Sequence, residues 1–204
     1  MKTLLITLIL SGFLMGQEVV ELKQSNSAKI VVKLMFKNGS ISDPEGKEGL
    51  TYTTDQLITQ GGTGDLSYSD IQDKIYPMAA QYGSSVDKEV TIFTFEFHKD
   101  WQDAFYPIMM GLITNPSFEQ ADFDRVKVNQ QAYVDQVVRA SSDEEYSKKA
   151  LEDFLFRGTN YQHMKEGTSV SVASMTLEDV KEHYANFFTK NNLMIGIADR
   201  KSVV

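Results

Sequence analysis

The sequence predicts an α+β fold, a two-layer sandwich whose mainly antiparallel sheet is packed by helices. Three observations predict it. Short alternating or apolar runs at Val19–Leu22, Ile30–Phe36, Ser84–Val86, Val90–Phe97 and Leu193–Ala198 read as strands. Longer segments between them carry helical spacing and capping residues. The strands fall into hairpins and the helices follow one another, which is not the strict alternation of a doubly wound sheet. A chain of 204 residues, 42% of them hydrophobic, is long enough for one domain with a sizeable core.

The elements are justified in order. The two opening strands form a hairpin, and Asn38-Gly39 and Asp43-Pro44-Glu45-Gly46 supply turn and loop chemistry. Residues 49–60 form a helix. Ser67 or Ser69 caps the next, which runs to about Gln81 with Ile71, Ile75 and Met78 on one face and ends at Tyr82-Gly83. Ser84–Val86 and Val90–Phe97 make a second hairpin, with Thr91, Phe93, Phe95 and Phe97 on one side. Phe93, Phe95, Phe97, Trp101 and Phe105 are read as core.

Asp100 caps a helix through Leu112, which stops before Asn115-Pro116. Ser117 starts a long helix over Phe118–Ala140, with Phe123, Val126, Val134, Val137 and Val138 as its apolar positions. Ser141 or Ser142 caps another, with Glu145 in a capping-box position and Tyr146, Ala150, Leu151, Phe154 and Leu155 facing inward. Residues 157–174 read as loop. Thr176 caps the last helix, with Glu178-Asp179 in its first turn, and it runs through Phe188.

Charge and composition exclude several functions. The net charge is −8, there is no basic stripe, and Gly61-Gly62-Thr63-Gly64 lacks the lysine of a phosphate loop, so no nucleic-acid partner is expected. No serine sits in a Gly-x-Ser-x-Gly elbow. His98, His163 and His183 have no partner at metal spacing, and the acidic pairs Asp143-Glu144-Glu145 and Glu178-Asp179 suit helix starts. Residues 1–16 read as a secretory leader: Lys2, then the apolar Leu4–Leu14, then Gly16 before the cut. The mature chain is then exported, periplasmic or extracellular, with no membrane association after cleavage. Without cysteine it has no disulfides. Residues 17–198 form the single domain. Asp199-Arg200-Lys201-Ser202-Val203-Val204 matches the in-frame translation of a sequencing-library adapter. It reads as a non-native tail on a truncated chain.

Seven short segments, in one order, carry a family resemblance. They are Phe36-Lys37-Asn38-Gly39-Ser40, Asp43-Pro44-Glu45-Gly46-Lys47-Glu48-Gly49-Leu50, Gln60-Gly61-Gly62-Thr63, Val86–Phe93, Asn115-Pro116-Ser117-Phe118, Gly167-Thr168 and Met175-Thr176-Leu177-Glu178-Asp179-Val180. Together they resemble the N-terminal domain of insulinase/pitrilysin-type metallopeptidases, which include the mitochondrial processing peptidases. Leu66-Ser67-Tyr68, Tyr76-Pro77-Met78-Ala79-Ala80 and Asp143-Glu144-Glu145 resemble a branch whose zinc motif is degenerate.

That resemblance implies where the chemistry would sit. A catalytic zinc needs three protein ligands and an open position for water. The family supplies two histidines of a His-x-x-Glu-His helix, with the glutamate as general base. In this chain the five positions are Tyr52, Thr53, Thr54, Asp55 and Gln56. A phenol and a neutral amide are poor zinc donors. Asp55 keeps a carboxylate one methylene short, and a misplacement of ~1 Å alone costs ~10²-fold in rate. The family's third ligand, a glutamate on a later helix, corresponds to Gln131, with Asp124 and Asp135 the nearest carboxylates. No zinc cofactor is therefore expected.

The resemblance also implies that the strand after Tyr82-Gly83, at Ser84, Ser85 and Val86, is an exposed edge that pairs with peptide. Two functions follow from different classes. One is a non-catalytic homologue that binds peptide or pairs with an active insulinase-type subunit or second domain. The other is an active metallopeptidase with a remodelled site in which Asp55 and a distant residue hold another ion.

Overall fold

The computed structural model describes residues 18–23, 28–137 and 143–199. The leader segment and the last five residues, Arg200 to Val204, lie outside them. The α+β reading holds. Five strands, β1 (Glu18–Lys23), β2 (Lys29–Phe36), β3 (Gln81–Val86), β4 (Thr91–His98) and β5 (Leu193–Asp199), form one sheet in the order β1-β5-β2-β4-β3. β5 lies antiparallel to β2 and parallel to β1, and β3 pairs with β4 alone. The expected opening hairpin is therefore absent: β5 sits between β1 and β2, because the ladder groups of β2 are taken by β4 and β5.

Alternation decides which sheet face is covered. Ile30, Val32, Leu34 and Phe36 of β2 are buried on the same side as Phe93, Phe95 and Phe97 of β4. Six helices contribute side chains to that core, α1 (Leu50–Gln60), α2 (Tyr68–Ile75), α3 (Gln102–Thr114), α4 (Gln120–Ala132), α6 (Ser169–Ser174) and α7 (Leu177–Phe187), and α5 (Asp143–Leu155) contributes none of its described side chains. α3 buries Phe105, Ile108, Met109, Leu112 and Ile113 at helical spacing, and Phe105 meets Phe95 and Phe97.

Several boundaries move for identifiable reasons. α2 stops at Ile75 and passes through a short 3₁₀ turn, Tyr76–Met78, to Ala79 at φ 48. A proline in that turn and a left-handed residue after it end the helix, so Gln81, Tyr82 and Gly83 belong to β3. Asp100 is not a cap. The His98 ring accepts from the Asp100 amide, and a 3₁₀ turn, Lys99–Trp101, precedes α3. Trp101 is 42% exposed rather than core, because that turn lies beyond the sheet end.

The long helix expected over 118–140 begins at Gln120 and becomes a wider π-type turn at Tyr133–Val137. Phe123, Val126 and Val134 are buried as expected. The side chain of Val137, together with Val138, Ser141, Ser142 and the Glu145 side chain, lies outside the description. The predicted loop 157–174 contains α6, which Thr168 and Ser171 start with a reciprocal capping box.

The largest correction concerns α5. Its apolar positions Tyr146, Ala150, Leu151, Phe154 and Leu155 are exposed, not inward. The core is filled by side chains of the other six helices and the sheet, and no described side chain of α5 enters it. Thr176 does cap α7, through a reciprocal box with Asp179. Thr176→Ala is expected to cost about 1 kcal/mol of stability, read from urea unfolding.

Candidate functional site

α1 is an unlikely helix by propensity, with four threonines in eleven residues. Tertiary contacts impose it. Gly49 starts it at φ 95, where an added Cβ would meet the Glu166 carbonyl oxygen at 2.7 Å. Gly49 carries no capping side chain, and Asp43 takes that role from outside. Asp43 Oδ2 accepts from the Gly49 amide at 2.7 Å, and Oδ1 accepts from the Thr51 amide and hydroxyl at 2.7 Å each. The hydroxyls of Thr53 and Thr54 donate back to the carbonyls of Gly49 and Leu50. Thr53 also donates to Gln130 Oε1 of α4 at 2.7 Å, and Gln130 Nε2 donates to the carbonyls of Gly49 and Glu166.

This setting holds Tyr52, Asp55 and Gln56 in place. Burial pushes the Tyr52 phenol up to about 12, helped by the charges of Glu166 and Asp55 and by Tyr133. Asp55 is completely buried. Its Oδ2 accepts from Ser84 Oγ at 2.7 Å and from Gln56 Nε2 at 3.1 Å, while Oδ1 has no hydrogen-bond partner. Burial raises its pKa to about 7 against the smaller lowering by Ser84, Gln56 and Lys165. The Gln56 carbonyl is occupied too, by Gln60 Nε2. Arg125 donates to the Gln60 main-chain carbonyl and pairs with Asp122 at 2.8 Å. A chain of neutral amides thus runs along the face of α1 where the resemblance places two metal-binding imidazoles.

Gln131 is not drawn into this cluster. Its amide donates to Asp135 at 2.8 Å, and Asp135 also accepts from Ser169. Gln130 faces α1, and three residues later Tyr133 acts on Tyr52. Counting along the sequence pointed to Gln131, whereas the helical phase set by Phe123, Val126 and Gln130 brings Tyr133 round.

The donors present do not fit zinc. A phenol held near 12 resists losing its proton, the Gln56 amide is used internally, and the one carboxylate has an oxygen tied to Ser84 and Gln56. Among the described residues no group of three His, Cys, Asp or Glu is arranged to hold a metal. Purified protein is expected to carry substoichiometric zinc by elemental analysis, with a melting temperature unchanged by a chelator.

Three functional-looking residues were missed in the sequence. Asp43 was read as loop, yet it is the buried anchor of α1. His183 is 3% exposed; burial lowers its pKa to about 4, and Nε2 meets Thr51 Oγ1 at 3.0 Å. Its spacing from the buried Val180 was the available signal. Glu166 is 5% exposed, with one carboxylate oxygen lacking a partner. No local pattern marked it.

Ser84, Ser85 and Val86 belong to β3, an edge strand of the sheet, and of the three Val86 is buried rather than exposed. The edge is longer than expected and includes Gln81, Tyr82 and Gly83. Beside it lies a cleft of about 400 Å³, walled by Gln56 and Gln60 of α1, Tyr68 and Gln72 of α2, and Tyr82 and Ser84 of β3. These six are amide, phenol and hydroxyl side chains, and Gln72 donates to the Tyr82 hydroxyl at 3.2 Å.

Comparisons with known proteins place this geometry. The family model described as insulinase, peptidase family M16, matches residues 19–169. A curated relative, "Non-peptidase homolog YmxG" of Helicobacter pylori, is 26% identical over 211 residues, covering 96% of this chain and 48% of its own length. The chain thus spans about half the length of that relative. A solved structure described as a peptidase M16 inactive domain from Pseudomonas fluorescens superposes with a TM-score of 0.85 at 17% identity, over 92% of this chain and 45% of that one. A structure described as a protease from Helicobacter pylori gives 0.80 at 15% identity, over 90% of this chain and 44% of that one. With the family model matching most of the chain, and the fold agreeing with it, the chain belongs to the insulinase family, peptidase family M16.

Proposed function

We propose that this chain is a non-catalytic insulinase-family protein that holds an extended peptide at the free edge of β3. The observation that carries the reading is the edge itself. Strand addition needs only unpaired main-chain groups and a place for alternate side chains. The Asp87 amide donates to Val90, which fixes the alternation of the β3–β4 ladder. By that alternation Gln81, Gly83 and Ser85 bond to β4, and Tyr82, Ser84 and Val86 turn their N–H and C=O outward. The outward groups of Tyr82 and Ser84 have no partner among the described residues. The cleft below them carries no ionised side chain among the six named walls, so it suits a neutral polar or aromatic side chain. Hydrolysis is not part of this reading, because the groups that would hold zinc and activate water are replaced and internally bonded. The name of the Helicobacter pylori relative, a non-peptidase homologue, agrees with this.

Ser84→Pro tests it. Its N–H points outward, so proline removes a donor to peptide without breaking a bond to β4. Binding of a labelled extended peptide is expected to fall by up to about tenfold, the loss of one main-chain hydrogen bond. Ser84→Ala, which loses only the hydroxyl bond to Asp55, controls for stability. Equal binding by the Ser84→Pro protein would rule out strand addition at this edge.

A second reading is pairing with an active zinc subunit or a second domain. The exposed Tyr146, Leu151, Phe154 and Leu155 on α5 favour it. Replacing Phe154 and Leu155 by serine is expected to abolish such pairing while leaving peptide binding at β3 intact, as measured by sedimentation.

A further inference from the structure

The outward edge of β3 is not uniformly open. Tyr82 and Ser84 present unpaired N–H and C=O groups, but the outward carbonyl of Val86 is taken. Lys165 Nζ donates to Val86 O at 3.0 Å. Lys165 comes from the loop before α6, far from β3 in sequence, and its side chain is 37% exposed. It is held from its other side by Glu166, whose Oε1 lies 4.0 Å away, and its charge reaches Asp55. Glu166 is itself positioned, since its carbonyl accepts from Gln130 Nε2 at 2.9 Å and abuts Gly49. The next residue, Gly167, stands at φ 82, with an added Cβ only 2.0 Å from the Glu48 carbonyl oxygen. The backbone that carries Lys165 is thereby fixed against the start of α1, and the ammonium is delivered to one acceptor at one end of the edge.

We propose that Lys165 is the residue that sets the register and length of a strand added to β3. It supplies to Val86 O the hydrogen that a bound chain would otherwise give. An added segment pairs fully with Tyr82 and Ser84, and its next residue meets a carbonyl that already accepts from Lys165 and an ammonium in its path. The segment that fits is therefore short and extended, and at the position opposite Val86 it needs no main-chain N–H. Proline there, or the end of the strand, satisfies that condition. The same contact leaves a shorter open edge for self-pairing, which is one way exposed edges are kept from aggregating. Glu166, whose Oε1 lies 4.0 Å from the Lys165 ammonium, argues against a peptide carboxylate as its partner.

This inference rests on the strand-addition reading, and one experiment separates the two. The probes are a fluorescent ten-residue peptide, rich in threonine and glutamine, and a series of it N-methylated at one amide at a time. Binding is measured to the parent protein and to the Lys165→Met and Lys165→Arg variants. In the parent protein, N-methylation is expected to weaken binding at the two amides that reach the Tyr82 and Ser84 carbonyls. In Lys165→Met a third sensitive amide appears, and the unmodified peptide binds about fivefold tighter, the yield of one added hydrogen bond. Lys165→Arg keeps a donor on Val86 O and is expected to match the parent pattern. Parent binding with no third amide and no gain in Lys165→Met overturns the role of Lys165 and leaves strand addition standing. Binding by none of the three proteins, with each folded by circular dichroism, overturns strand addition and the role of Lys165 with it.

Discussion

Asp55→Asn is expected to stabilise the protein by up to about 4 kcal/mol at pH 8 and to change it little at pH 4. The carboxyl is completely buried and its pKa rises from 3.8 to about 7, with burial as the dominant cause. A carboxyl whose folded pKa is raised binds its proton more tightly in the native state. The stability this gives is fully present below about 4, declines as pH rises, and is lost above about 7. At pH 8 the parent protein carries a buried charge with one oxygen unpartnered, which asparagine does not. Asparagine keeps an acceptor for Ser84 and Gln56. His183 and His163, whose pKa values are lowered by burial, pull stability the opposite way as pH rises, while Asp43, also raised by burial to about 7, acts in the same direction as Asp55, so the parent profile alone mixes these groups. The difference between variant and parent across pH 4 to 8 isolates Asp55. A difference that does not grow through that window would mean that Asp55 titrates like an exposed carboxylate.

Asp43→Ala acts in the opposite direction and is expected to cost about 2–6 kcal/mol, since each buried donor left unsatisfied costs about 1–3 kcal/mol. Two donors lose their acceptor at once, the amides of Gly49 and Thr51, while the Thr51 hydroxyl loses one partner and keeps the Gly39 carbonyl and His183 Nε2. Gly49 has no side chain to substitute, so the α1 N-terminus has no second cap. Asp43→Asn keeps acceptor capacity on one atom and is expected to lose less than half as much. Urea unfolding of the two variants measures the order. An alanine variant within about 1 kcal/mol of the parent would show that water replaces Asp43 without penalty.

These residues also show what a sequence can carry. Tyr52, Asp55 and Gln56 were legible as a degenerate metal helix because a ligand's identity is a property of the side chain itself. The spacing of β4, with Phe93, Phe95 and Phe97 on one side, was legible because pleat alternation is local. The Thr176–Asp179 cap was legible for the same reason. Which side of α4 meets α1 was not legible, since the face a helix turns to its neighbour depends on which contact wins, here Thr53 with Gln130, while Gln131 turns to Asp135. α5 failed for a related reason. Its apolar spacing says that one side seeks cover, not that this domain provides it, and the core is filled by side chains of the other six helices and the sheet.

The sequence alone determined the class of fold and the order of most elements, which follow from near-neighbour periodicity and side-chain chemistry. Tertiary structure decided the rest. It placed β5 between β1 and β2, raised the Asp55 pKa by burying it against Ser84, and set Lys165 on the last outward carbonyl of β3. Those outcomes join residues 29, 79 or more positions apart, and hydrogen bonding and desolvation at such separations exist only once the core has closed.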